Sequence, residues 1–364
     1  MSFLSRRPFP FPVRVLGTLL LALAAAALCL VLRTPLPWMI GPLLAVSICA
    51  IAGAPTASYT PLRNLGQWTI GTALGLYFTP QVMALVAGVW WAIALAIAWA
   101  LGMGWLFGHA LERLQGDRMA HVPPHTMRAT AYFAGAIGGA SEMTLMAERV
   151  GARTDLVAAA HSLRLMIVTL SIPFAMQWSG LHGLEVSPPT VREVNWGGLA
   201  LLAGATGVGA LLMQAAGRNN PWFLGPLLVA MGFTVAGLPL SAVPTGFSNA
   251  AQLVIAVSLG VRFSREFLQT APRWLATVAL GTVGMIVLCG AFAWCLSLAT
   301  GVHPATLVLG TSPGGIAEMS ITAKVLQLGV PVVTAFQVCR LIAVLLLIGP
   351  LYTLLYGRMP PSIR

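Results

Sequence analysis

Charge is what this sequence has least of. Only 8% of its 364 residues are Asp, Glu, Lys or Arg, where a soluble domain carries about 25%. Water is therefore not the main solvent of this chain. Lysine is almost missing: Lys324 stands against nineteen arginines. The five cysteines, Cys29, Cys49, Cys289, Cys295 and Cys339, all fall in apolar stretches without paired spacing. That argues against a disulfide framework or a thiolate metal site and for small buried hydrophobes. Zinc-finger, helix-turn-helix and aromatic-basic RNA patterns are missing too, so the net charge of +11 does not point to nucleic acid.

Other absences exclude chemistry. No Ser-His-Asp arrangement, phosphate loop or Cys–His cluster can be read. His109, His125, His182 and His303 fall in loops or at helix ends, and Pro123 and Pro124 break the helix that would align His121 with His125. No catalytic residue, metal or cofactor is expected, and the chain does not read as an enzyme.

What is present is hydrophobic length. Residues 82–107 and 274–300 run without a charge, each enough to cross a ~30 Å hydrocarbon core at ~1.5 Å per residue. The arginine-flanked run at 15–32 resembles a secretory signal. A similar run at 196–215 in the second half makes it a retained membrane helix.

The halves repeat. Pro37-Trp38-Met39-Ile40-Gly41-Pro42-Leu43-Leu44 returns as Pro221-Trp222-Phe223-Leu224-Gly225-Pro226-Leu227-Leu228. Gly53 matches Gly237, while Asn64, Gln67, Gly75 and Phe78 match Asn249, Gln252, Gly260 and Phe263. Gly138-Gly139-Ala140-Ser141-Glu142-Met143 answers Gly314-Gly315-Ile316-Ala317-Glu318-Met319, and that register carries Arg164 onto Arg340. Two membrane repeats are expected, residues 1–180 and 190–364.

Each repeat reads as five spanning helices and one odd segment. The helices fall near 15–32, 36–53, 64–79, 82–107 and 156–178, then 196–215, 221–239, 248–263, 274–299 and 331–356. The odd segments, about 128–150 and 304–325, are less apolar and are interrupted by Gly-Gly, which predicts re-entrant or broken helices. If they do not cross, fifteen arginines lie on the cytoplasmic side, against Arg33, Arg192 and Lys324 outside. The positive-inside rule favours that arrangement. The fold class expected is therefore all-α: a polytopic membrane bundle of about ten spans in two inverted repeats, with both termini cytoplasmic in a bacterial inner membrane.

The candidate site lies at the odd segments. Glu142 and Glu318 are ionisable groups at membrane depth, and such residues are functional candidates by default. Gly138, Gly139, Gly314 and Gly315 open backbone N–H groups at new helix starts. Arg164 and Arg340, near mid-membrane, suit a carboxylate or phosphate; the structural alternative is that they merely pair with the two glutamates. Asn64 with Gln67, and Asn249 with Gln252, share helix faces and either bond neighbouring helices or line a polar path. His161 lies one turn before Arg164, but its counterpart is Gln337, which argues against a symmetric metal or proton site.

Inverted repeats with broken helices suit a secondary transporter of a small solute, here a proton-coupled organic anion. The alternatives are a non-transporting membrane regulator or sensor of gene expression and, last, a membrane monooxygenase. The partners implied are a small-molecule substrate and the lipid bilayer, with room for a homo-oligomer and none for nucleic acid.

The repeated Pro-Trp-X-X-Gly-Pro-Leu-Leu blocks, the Gly-X-X-Phe-Thr/Ser ending of the third helix and the paired Gly-Gly-X-X-Glu-Met blocks resemble the AbrB membrane-protein family over nearly the whole chain. The resemblance implies a duplicated AbrB-type membrane domain. Family members carry the labels ammonia monooxygenase and regulator of gene expression, and neither label has a chemical basis in these residues.

Inversion of the repeats is open to labelling. A cysteine introduced as Arg273→Cys should react with an impermeant maleimide from the cytoplasmic side only; reaction from outside alone would refute the inverted arrangement.

Overall fold

Prolines mark where the helices begin. In the computed structural model, which describes residues 10–116, 122–180, 193–218, 220–238, 240–263 and 271–357, six helices start on Pro37, Pro80, Pro124, Pro221, Pro272 and Pro304. A first-turn proline loses no helix hydrogen bond, and its fixed φ already suits the helix. Glycines mark several ends. Gly53 and Gly237, matched in the repeat, both follow their helices with left-handed φ of 88° and 72°, a conformation glycine takes without penalty.

The described residues form fifteen helices and no strand. They are α1 (Phe11–Val31), α2 (Pro37–Ile51), α3 (Thr60–Gly75), α4 (Pro80–Gly88), α5 (Trp90–Gln115), α6 (Pro124–Gly135), α7 (Ala140–Arg149) and α8 (Thr154–Trp178). The second half gives α9 (Trp196–Ala215), α10 (Pro221–Val235), α11 (Thr245–Gly260), α12 (Pro272–Thr300), α13 (Pro304–Thr311), α14 (Ile316–Leu326) and α15 (Val330–Tyr356). The fold is an all-α membrane bundle.

Among the described residues, six helices are long and apolar enough to span a membrane: α1, α5, α8, α9, α12 and α15. A seventh is added if α3 and α4 count as one broken span. The other helices expected as spans are present but shorter. At 15 residues, α2 and α10 reach only about 22 Å. The run at 82–107 is not one helix, because α4 ends at Gly88 and α5 starts at Trp90. Thr79 caps α4 by accepting from the Val82 N–H, which draws that helix start forward. The charge count that led to ten spans included Arg6, Arg7, Arg118, Arg192, Arg265, Arg358 and Arg364, which lie outside the described residues, as do His121, His182 and both termini.

The helices gather into two compact units, each drawing on both halves. One unit holds residues 1–75, 191–230 and 240–270, and so α1, α2, α3, α9, most of α10 and α11. Its core includes Ala22, Ala26, Val46, Leu253 and Val257, where small residues let helices approach closely. A Cβ on Gly41 would lie 2.6 Å from the Ala25 carbonyl oxygen, and one on Gly225 would lie 2.6 Å from that of Gly209. The repeated Pro-Trp-X-X-Gly-Pro block thus packs α2 on α1 and α10 on α9 through the same glycine. Outward faces stay apolar: Leu20, Leu28 and Val31 of α1 and Leu211 and Leu212 of α9 are exposed, as suits contact with lipid.

The second unit holds residues 76–190, 231–239 and 271–364. Its packing comes in matched pairs. α5 packs on α6 as α12 does on α13, and α7 packs on α8 as α14 does on α15. α6 meets α8 as α13 meets α15, while α8 crosses to α12 and α15 crosses to α5. Phe78, Ile93, Leu296, Leu307, Val332 and Phe336 form one core that joins α5, α12, α13 and α15.

The two close-approach glycines should be intolerant of a methyl group. Gly41→Ala and Gly225→Ala are each expected to lose about 1–3 kcal/mol through overpacking against backbone, read by unfolding of the purified protein in detergent. Gly204→Ala is the control, since a Cβ there meets nothing within 4 Å.

Candidate functional site

Both odd segments are broken helices, and both lie in the second unit. α6 stops at Gly135 and α7 restarts at Ala140; α13 stops at Thr311 and α14 restarts at Ile316. The breaks share one backbone shape. Ala136 (φ −54°, ψ 138°) and Ser312 (φ −59°, ψ 148°) leave the first half-helices extended. Gly139 (φ −67°, ψ 138°) and Gly315 (φ −78°, ψ 153°) enter the second half-helices in the same way.

A helix that stops inside a bilayer leaves its last carbonyls without partners, and lipid offers no donor to replace water. Here buried arginines supply the donors. Arg164 of α8 donates from Nη1 to the Ala134 and Gly135 carbonyls, both at 3.3 Å, and from Nη2 to that of Ala136 at 2.7 Å. Arg340 of α15 donates from Nη1 to the Ser312 carbonyl at 2.6 Å and from Nη2 to that of Gly314 at 2.9 Å. Each positive side chain therefore meets the negative end of a half-helix, where a cation is favoured.

A second residue one turn earlier completes each cap. Gln337 accepts from Arg340 Nη2 through Oε1 at 2.6 Å and donates from Nε2 to the Leu309 carbonyl at 2.7 Å. His161 occupies the corresponding place. Its Nδ1 lies 2.7 Å from Arg164 Nη2, and its Nε2 lies 2.9 Å from the Phe133 carbonyl. A guanidinium can only donate, so Nδ1 must accept and the proton sits on Nε2. In this neutral tautomer imidazole does what the glutamine amide does in the other copy. The sequence places His161 opposite Gln337 and shows them as unlike; in the structure they are hydrogen-bond equivalents.

The arginine–glutamate pairing considered from the sequence is not where these donors go. Arg164 and Arg340 bond backbone carbonyls, because the interrupted helices bring several carbonyl oxygens to each guanidinium. Ion pairs outside the breaks include Arg128–Glu112 at 2.8 Å and Arg153–Asp155 at 2.6 Å, with a His109–Glu112 contact at 4.0 Å.

The glutamates serve the other side of each break. Glu142 and Glu318 are the third residues of α7 and α14, the position from which a carboxylate reaches back over the helix start. A Cβ on Gly139 would run into Glu142 Oε2, and one on Gly315 into Glu318 Oε2. The preceding glycines make room for the methionines: a Cβ on Gly138 would lie 2.9 Å from Met143 Cε, and one on Gly314 2.8 Å from Met319 Cγ. Gly-Gly-X-X-Glu-Met is thus one packing unit, in which the first glycine admits Met and the second admits Glu. Negative carboxylate at the positive helix end complements arginine at the negative one.

The copies converge but differ in exposure. Arg164 and Arg340 lie within electrostatic reach of each other, and the Gly315 end of α14 rests near Leu165 of α8. Glu318 is buried and Glu142 half-buried. Arg340 keeps a buried Nε–H with no hydrogen-bond partner among the described residues. Asn64 and Asn249 lie half-buried on α3 and α11, which pack together in the first unit. No three His, Cys, Asp or Glu side chains gather to hold a metal ion among the described residues. Sequence reasoning missed the capping role of His161 and Gln337, though the shared three-residue spacing to each arginine was there to be read.

Comparison with known proteins agrees with the geometry in covering both copies. Residues 38–356 match the family described as "Transition state regulatory protein AbrB". A Bacillus subtilis (strain 168) protein, "Uncharacterized protein YhjN", is 27% identical over 347 residues, covering 88% of this chain and 87% of the relative. An Escherichia coli (strain K12) protein, "Putative regulator AbrB", is 25% identical over 325 residues, covering 87% and 89%.

The caps are separable by mutation. Arg164→Met and Arg340→Met each strand two or three buried carbonyls at about 1–3 kcal/mol apiece, so unfolding in detergent should show losses of several kcal/mol. His161→Gln, which installs the other copy's residue, should cost less than about 1 kcal/mol, whereas His161→Ala should cost about 2.

Proposed function

The chain belongs to the AbrB family of membrane proteins, and from that premise we propose that it is a secondary transporter of a small solute. The observation that carries this reading is the pair of broken helices gathered in one unit, each with a buried arginine at its negative end and a glutamate at its positive end. Discontinuous helices of this kind put backbone polar groups and half-helix dipoles at membrane depth, where a solute or coupling ion can use them. A bundle needing only mechanical strength would be served by continuous helices with every carbonyl already bonded.

In this reading Glu142 and Glu318 handle the coupling proton. A carboxylate over a helix start meets the positive end of the half-helix dipole, and taking up a proton removes its charge and loosens its hold on the half-helix. Movement of the half-helix and protonation would then be linked. The arginines contribute positive potential more than a two-pronged clamp, because their Nη groups are committed to carbonyls. The partnerless Arg340 Nε–H is the donor that favours an organic anion as the solute, since an acceptor there would relieve a buried unsatisfied group. The arginine distribution supports an inner-membrane location, inverted repeats and cytoplasmic termini.

The competing reading is a non-transporting regulator, and the printed name of the Escherichia coli relative favours it. A sensor needs an output surface, whereas the polar stretch around His109–Arg128 is taken up largely by the end of α5 and the start of α6, leaving residues 116–123 between them.

Purified protein in liposomes, screened against small metabolites under an imposed pH gradient, should move at least one solute. Glu142→Gln and Glu318→Gln should lower that gradient-driven rate by about 100-fold, the scale of losing a proton-handling carboxylate, while detergent unfolding stays near wild type. No flux across a broad organic-anion screen would remove the transport reading; full activity in both variants would remove the site.

A further inference from the structure

We infer that the first copy carries an anionic-phospholipid site that the second copy lacks: a groove with Arg14 at its mouth, lined by α1, the end of α2 and the α2–α3 connection. The groove has a volume of about 280 Å³, and its walls include Val13, Gly17, Leu21, Cys49 and Pro55. These residues of α1 lie on one helix face, running from the start of a membrane-spanning helix into its apolar middle. A headgroup at the level of Arg14 would have its acyl chain descending along Gly17 and Leu21, and the lining is almost wholly apolar, as a hydrocarbon chain requires.

The charge at the mouth is complementary and unneutralised. Arg14 donates from Nε to the Pro55 carbonyl at 3.2 Å and from Nη2 to that of Thr56 at 3.1 Å. Those are dipoles, and they leave the net charge in place. No carboxylate pairs with Arg14 among the described residues, and the chain contains no Asp or Glu before Glu112. A basic group at the interface end of a membrane helix attracts anionic lipid.

The second copy shows why the groove exists. The register that sets Gly41 on Ala25 and Gly225 on Gly209 places Gly198 at the position of Arg14 and Leu240 at that of Thr56. A Cβ on Gly198 would collide with the Leu240 carbonyl oxygen; the connection there closes directly onto the helix. In the first copy the Arg14 side chain holds the same connection away and bonds it at arm's length, and the space between becomes the groove. Gly17 keeps it open, since a Cβ there meets nothing within 4 Å. The second copy carries exposed Leu201 at that position.

Native mass spectrometry of the full chain, with phosphatidylglycerol or phosphatidylcholine added at equal concentration, tests the site. Wild type should retain one phosphatidylglycerol about fivefold better than phosphatidylcholine, the scale of one basic residue at the interface. Arg14→Gln should erase that preference. Gly17→Leu should abolish retention of both lipids while leaving the unfolding midpoint of lipid-free protein unchanged, which separates groove filling from misfolding. Equal retention of the two lipids by wild type, unchanged retention in Gly17→Leu, or lipid bound only to dimers would each overturn the assignment.

Discussion

A guanidinium bonded to the stranded carbonyls of an interrupted helix is the interaction on which this molecule depends. In hydrocarbon a broken helix cannot turn to water, so the break exists only if protein supplies donors. A buried arginine cannot stand alone either, because an ionised group removed from water without partners costs several kcal/mol. Each problem solves the other here. Arg164 needs acceptors and α6 offers Ala134, Gly135 and Ala136; Arg340 finds Ser312 and Gly314. The Gly-Gly-X-X-Glu-Met segments then complete the balance, with carboxylate over the opposite helix end and glycines leaving it room.

This balance bears on function more than on fold. Arg164, Arg340, Glu142 and Glu318 set opposite charges at the two ends of each break, and the two arginines lie within electrostatic reach of each other. The carboxylates are the members of that set able to change charge without stranding a carbonyl. The arginines are held in place by what they bond. A mechanism built on Glu142 and Glu318 therefore asks little of the surrounding structure, whereas one requiring Arg164 to leave its carbonyls asks much. Between the copies, Glu142 is half-buried while Glu318 sits inside the unit, so the two breaks are alike in backbone and unlike in access.

Duplication explains both the likeness and the departures from it. His161 and Gln337 differ in chemistry yet meet the same demand, an acceptor toward arginine and a donor toward a carbonyl. Arg14 and Gly198 occupy equivalent places and produce opposite results, a propped connection in one copy and a closed one in the other. Pseudosymmetry thus preserves the polar balance at the breaks and relaxes at the lipid-facing rim, where the demands on packing are weaker.

Much of this was legible without coordinates. Hydrophobic length against scarce charge made the chain a membrane protein, and repeated blocks exposed the duplication. The Gly-Gly pairs located both breaks, and prolines foretold several helix starts, since each is a local property of backbone or solvent. What the arginines bond was not legible. Spacing shows that a charge is buried but not which acceptors an interrupted helix brings to it, so carboxylates looked like the natural partners. The grouping of helices was equally hidden: each compact unit combines segments from both halves, with Asn64 and Asn249 in the first and the broken helices in the second. The sequence by itself determined solvent, repeat and break, through local chemistry; tertiary structure decided the partners, because only packing brings distant carbonyls and guanidinium groups within bonding distance.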